Sequence, residues 1–79
     1  VGQRVLVVDD DRTVSGVVRR SLQRAGYAVA LAADGPAALA SCANARPDLV
    51  ILDLMLPGMD GLEVCRRLRA RADGVPVAR

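Results

Sequence analysis

Apolar and polar positions alternate in two rhythms along this chain, one of strands and one of helices. Val5-Leu6-Val7-Val8 is an unbroken apolar run that stops at Asp9-Asp10-Asp11, and Leu49-Val50-Ile51-Leu52 is a second that stops at Asp53. Short runs without polar alternation predict strands buried on both faces, as in a parallel sheet. The first is strand β1, about residues 4–8. After it, Val14, Val17, Val18, Ser21, Leu22 and Ala25 recur at helical spacing, and Gly26 can end a helix; this is α1. Residues 27–32, Tyr-Ala-Val-Ala-Leu-Ala, predict β2, although alanine lowers the strand propensity. Asp34-Gly35-Pro36 predicts a capped helix start with Pro36 in the first turn, and α2 over 37–45. Arg46-Pro47-Asp48 breaks that helix, and β3 covers 49–53. Residues 54–61 hold the turn formers of a structured loop. Leu62, Cys65 and Leu68 then give a third helix its apolar face, and Asp73-Gly74 turns into a fourth strand that is only beginning at Val75.

Strands alternating with helices at this spacing predict βαβ units with right-handed crossovers, hence an α/β fold with a doubly wound parallel sheet. In such sheets ligands bind beyond the C-terminal ends of the strands, which is where Asp9, Asp10 and Asp53 fall. The acids therefore predict a site.

Composition narrows the chemistry. The 79 residues contain 11 basic side chains, all Arg, and nine acidic ones, all Asp except Glu63; Lys, His and Trp are absent. This chain supplies no imidazole base, no lysine nucleophile and no His-ligated zinc. A formal charge of +2, with Arg19, Arg20, Arg24, Arg66, Arg67, Arg69 and Arg71 dispersed on helices, predicts solvated helix faces and gives no support to direct nucleic-acid binding. Cys42 and Cys65 lack CxxC spacing and read as small apolar helix residues in a reducing cytoplasm. No stretch approaches the ~20 apolar residues that span a bilayer, and no segment has the layout of a signal peptide. Arg without Lys, and abundant Ala, point to a GC-rich bacterial genome.

Three carboxylates gathered at strand ends repel unless a cation sits among them or one keeps a proton. Mg²⁺ suits such a set, because it takes one or two protein carboxylates, keeps several waters and bridges to phosphate. A carboxylate beside it is equipped for phosphoryl transfer. The bland alternative is that Asp10 or Asp11 caps α1 and Asp53 is a turn residue; for Asp11 the capping role is preferred in any case.

The stretches Val5-Leu6-Val7-Val8-Asp9-Asp10-Asp11 and DLMLPGMDGLEVCRRLR, from Asp53 to Arg69, resemble the receiver domain of two-component response regulators. The resemblance implies a flavodoxin-like fold with strand order 2-1-3-4, the chain covering residues 1–79 as the N-terminal two-thirds of one receiver domain, with strand 5 and the last two helices missing and no second domain. It implies that Asp53 accepts a phosphoryl group from a histidine kinase or phosphotransfer protein. Asp10 is then the direct Mg²⁺ ligand, Asp9 acts mainly through metal-bound water, Asp53 is itself a ligand, and Met55 offers a backbone carbonyl. Pro57, Gly58 and Gly61 shape the loop and open the third helix, which Asp60 caps. Val14 and Val17 lie where the family contacts its kinase, although their spacing favours core positions. The family's Ser or Thr after strand 4, and its Lys and aromatic residue in strand 5, have no counterpart, so transfer efficiency is an open point.

On this reading the protein is a cytoplasmic signalling module, no enzyme in the usual sense, with an output domain elsewhere. The helix that covers the α1 face in the family is also missing, so a free fragment is expected to expose apolar surface and to be unfolded, self-associated or swapped with another chain. The alternative is a receiver-like interaction or dimerisation module that is not phosphorylated. A phosphohydrolase of the haloacid dehalogenase type needs an acid two residues after the nucleophile, where this chain has Met55.

Overall fold

The computed structural model describes residues 3–53 together with 63, 66, 67, 70, 77 and 78. The elements run β1 (Arg4–Val8), α1 (Arg12–Arg24), β2 (Ala28–Ala32), α2 (Gly35–Asn44), β3 (Leu49–Leu52) and β4 (Val77–Ala78). The sheet has the expected order β2-β1-β3-β4, and every pairing is parallel. Val8, the last residue of β1, is in register with Ala32 on one side and Leu52 on the other. The three longer strands thus end level, and the residues just beyond them share one rim.

The central strand is covered on both faces: none of Val5, Leu6, Val7 and Val8 exceeds 3% exposure. That is why β1 reads as a continuous apolar run instead of an alternating one. Leu6, Val8, Ala32, Val50 and Leu52 form one cluster with Ala38 and Leu39 of α2, and half-buried Cys42 packs against it. Helix α1 crosses from β1 to β2.

Both helices start on an aspartate. The Asp11 carboxylate accepts the N–H groups of Thr13 and Val14 at 2.9 and 3.2 Å, and Asp34 accepts that of Ala37 at 2.8 Å. Each satisfies donors that the first helical turn leaves without a carbonyl. Gly26, at φ +97°, closes α1 in the left-handed region. The Tyr27 N–H donates to the Leu22 carbonyl at 3.1 Å. This bond commits Tyr27 to the helix exit, so β2 begins at Ala28, one residue later than predicted. Helix α2 begins at Gly35, ahead of the predicted Ala37, because Asp34 caps from outside and Pro36 fits the first turn. It ends at Asn44, since Ala45 is already extended at φ −148°.

One expectation fails clearly. Val14 and Val17 are 46% and 52% exposed. The inward line of α1 is Ser15, Val18 and Leu22, with Ser15 at 4% exposure and the other two half-buried. Steps of 100° per residue rotate Val14 and Val17 onto the flank of the helix, while an apolar spacing count accepts both lines as one stripe. Ser21 and Ala25 fall on that same exposed side.

Asp48 has a role beyond ending α2. Its carboxylate accepts the Arg4 N–H at 2.7 Å, and its own N–H donates to the Arg4 carbonyl at 2.8 Å. This reciprocal pair clasps the starts of β1 and β3 and sets their register. Glu63 pairs with Arg66 and Arg67 at 3.2 and 3.0 Å, and both Arg residues are exposed, as expected of a solvated helix face.

A carboxylate cluster at the strand ends

The level ends of β1 and β3 bring the acids together. Asp9 directly follows β1, and its N–H donates to the Ala32 carbonyl at 3.0 Å. Asp53 directly follows β3, and its N–H donates to the Val8 carbonyl at 2.9 Å. The sheet ladder thus continues one residue past its strands and fixes the backbone of both acids. Asp9 also accepts the Asp11 N–H at 2.9 Å, which holds the turn that carries Asp10.

One carboxylate oxygen from each of Asp9, Asp10 and Asp53 lies within 4.8 Å of the others. Asp9 and Asp53 are half-buried and Asp10 is exposed, so the cluster opens to solvent. Asp11 does not join it, because its carboxylate is engaged at the α1 cap. The donor set is all carboxylate oxygen, the chemistry of a hard divalent cation, and its exposed side leaves room for water or a phosphoryl oxygen. These residues fit Mg²⁺.

Met55, Asp60, Pro57, Gly58 and Gly61, expected to complete the site and its loop, lie outside the described residues, as does the side chain of Cys65. Val14 and Val17 are displayed in the first two turns of α1, on the helix that Asp11 caps beside the cluster.

Sequence reasoning missed a groove next to the acids. A cavity of about 330 Å³ is lined by Asp9, Arg12, Gly16, Arg19, Leu31 and Ala33, among others. The only hint in the sequence was Gly16 within a helix.

A parallel α/β sheet with three acids at the ends of its first and third strands is a flavodoxin-like arrangement with an acidic rim suited to a divalent cation. The chain belongs to the response regulator receiver domain family, whose profile matches residues 5–78. It is 58% identical over 74 residues to the response regulator MprA of Mycobacterium sp. (strain KMS), an alignment covering 94% of this chain and 32% of that protein. The chain therefore spans about a third of the length of the curated relatives it matches. Among solved structures, chemotaxis protein CheY4 of Vibrio cholerae superposes with TM-score 0.91 at 38% identity, over 98% of this chain and 66% of that one. Response regulator TrrA of Thermotoga maritima, solved in complex with Mg(2+)-BeF, gives 0.89 at 36% identity, over 95% and 65%. TrrA has also been solved in complex with histidine kinase ThkA, with TM-score 0.88, 36% identity and the same coverage. Among the described residues, no helix is long and apolar enough to cross a membrane.

Proposed function

We propose that this chain is the phosphoacceptor part of a two-component response regulator, and that Asp53 receives a phosphoryl group from the phosphohistidine of a kinase or phosphotransfer protein. The observation that carries the reading is the meeting of the Asp9, Asp10 and Asp53 carboxylates within 4.8 Å at the sheet rim. A carboxylate oxygen of Asp53 attacks phosphorus in line, a P–O bond forms, the P–N bond breaks, and the leaving imidazole nitrogen keeps the electron pair. Because its N–H is tied to Val8, the backbone that carries the Asp53 carboxylate is already in place before the attack.

Asp10 would be the direct ligand of Mg²⁺ and Asp9, which orders the Asp11 turn, would act through metal-bound water, with Asp53 and the Met55 carbonyl as the protein's other ligands. When bound, the ion would supply positive charge against the phosphoryl oxygens and against the crowding of three carboxylates. Asp53 is half-buried, which limits water at the acyl phosphate while leaving the acceptor reachable. Val14 and Val17, exposed near the start of α1, offer the kinase an apolar contact. The chain's contribution is to accept and hold the group; output by a changed surface is a population shift between two conformations.

Intact mass after incubation with acetyl phosphate and Mg²⁺ tests this, with Asp53→Asn and Mg²⁺-free samples as controls and an NMR spectrum to verify folding. One added phosphoryl group, absent from both controls, is the expected result. A folded chain that gains no mass overturns acceptor competence and leaves the interaction-module reading.

A further inference from the structure

The edge of the sheet formed by β2 has features that the acceptor site does not use. In sheet order β2 is outermost among the described strands. The Ala28 N–H donates to the Gln3 carbonyl and the Ala32 carbonyl accepts from Asp9, so the groups of Ala28, Ala30 and Ala32 face β1. By strand alternation, the N–H and C=O groups of Val29 and Leu31 face outward along the edge. None of the usual devices blunts this edge: Ala28–Ala32 contains no charge, no Pro and no bulge.

Grooves flank the edge on both faces of the sheet. On the α1 face, the 330 Å³ cavity runs from Asp9 past Gly16 to Arg19, with Leu31, 40% exposed, as its apolar wall. On the α2 face, a second cavity of about 260 Å³ is bounded by Ala28, Ala30, Ser41, Ala45 and Pro47. A strand laid beside β2 would send alternate side chains into these two grooves. The first is basic. Arg12 and Arg19 stand on either side of Gly16, neither forms an ion pair among the described residues, and α1 carries four Arg and no acid between Arg12 and Arg24. Seven residues of helix rise about 10 Å, between the roughly 7 Å that separates neighbouring same-face side chains of a strand and the roughly 13 Å that separates every second one, so two carboxylates on one face of an added strand fall within reach of the two long, flexible guanidinium arms.

We infer that the β2 edge is a docking site for an extended acidic segment of a partner protein, which adds a strand beside β2, sets carboxylates against Arg12 and Arg19, and places the intervening small apolar side chains in the α2-face groove. Affinity comes from the Val29 and Leu31 backbone groups, and selectivity from the basic groove. Asp9 at the upper end of that groove repels a further carboxylate there, which favours acids at the level of Arg19. A second copy of this chain is the wrong occupant. Antiparallel pairing of two β2 edges about a two-fold axis normal to the sheet brings the Arg12 and Arg19 flanks of both copies together, and like charges facing across an interface oppose it.

The test is titration of the ¹⁵N-labelled full chain with an acetylated, amidated (Glu-Val)₄ peptide, beside a Glu₄Val₄ block peptide of equal composition and a (Lys-Val)₄ peptide. The expected result is saturable binding of the alternating acidic peptide alone, with shifts at residues 28–33 and slowed exchange of the Val29 and Leu31 amides. An Arg12→Glu/Arg19→Glu variant, altered only at exposed positions, should bind it roughly tenfold more weakly and take up the lysine peptide instead. Shifts centred elsewhere, equal binding of the block peptide, or an unchanged affinity in the charge-reversed variant would overturn the inference. So would concentration-dependent self-association through β2 in sedimentation.

Discussion

Neutralising Asp53 should stabilise the metal-free chain while abolishing its response to Mg²⁺. One carboxylate oxygen of each of Asp9, Asp10 and Asp53 lies within 4.8 Å of the other two. At that distance two unit charges repel by about 0.9 kcal/mol in water of low ionic strength, and by about half as much at 0.15 M salt. Asp53 faces two such neighbours, and Asn has the same shape without the charge. Asp53→Asn therefore gains about 2 kcal/mol in low salt and about 1 kcal/mol in physiological salt. For a domain of this size the larger gain raises Tm by roughly 10 °C. Urea unfolding in EDTA and in 10 mM MgCl₂ gives the answer. Wild type should gain about 1.4 kcal/mol from Mg²⁺ if the ion binds with a Kd near 1 mM, and the variant should gain almost nothing. A variant no more stable than wild type in EDTA, or one that Mg²⁺ stabilises equally, would refute the idea that the cluster is held together against its own charge.

Substitutions at four other positions probe the scaffold. A Cβ built on Gly16 meets nothing within 4 Å, so Gly16→Ala should raise stability by about 0.5–1 kcal/mol in the same urea assay. Gly26→Ala, with equal space but φ +97°, should instead lose about 1 kcal/mol. Asp34→Ala removes the acceptor at the α2 cap and should lower stability by about 1 kcal/mol, seen as a lower urea midpoint with unchanged slope. Asp48→Ala should destabilise by about 1 kcal/mol and speed amide exchange at Arg4, whereas Asp48→Asn, which keeps an oxygen acceptor, should lose less.

The legible parts of this chain were those in which one residue type does one local job. Apolar runs ended by acids placed Asp9, Asp10 and Asp53 on one rim, because parallel strands in register end together. Asp34 and Gly26 were readable because caps and left-handed exits accept few residue types. Val14 and Val17 were misread because apolar spacing gives a stripe a width but no orientation, and only packing against the sheet chose Ser15, Val18 and Leu22 as the inward line. Asp48 was missed as a clasp because its partner, Arg4, is 44 residues away. The groove beside Gly16 depends on how α1 leans over β2, an angle that no local pattern encodes.

The two hydrogen bonds that run from Asp9 to Ala32 and from Asp53 to Val8 turn the site into a gauge of sheet alignment. Each acid hangs from the last carbonyl of its neighbour, so β2 positions Asp9, and β1 positions Asp53. A one-residue slip of β3 would carry Asp53 about 3.3 Å along the sheet and turn its side chain to the opposite face, dissolving the cluster without altering any of its members. Tolerance to change should accordingly be uneven: an extra residue in the turn after α1 can be absorbed at the surface, while one between Asp48 and Asp53 cannot. The anions keep their spacing because three strands keep step.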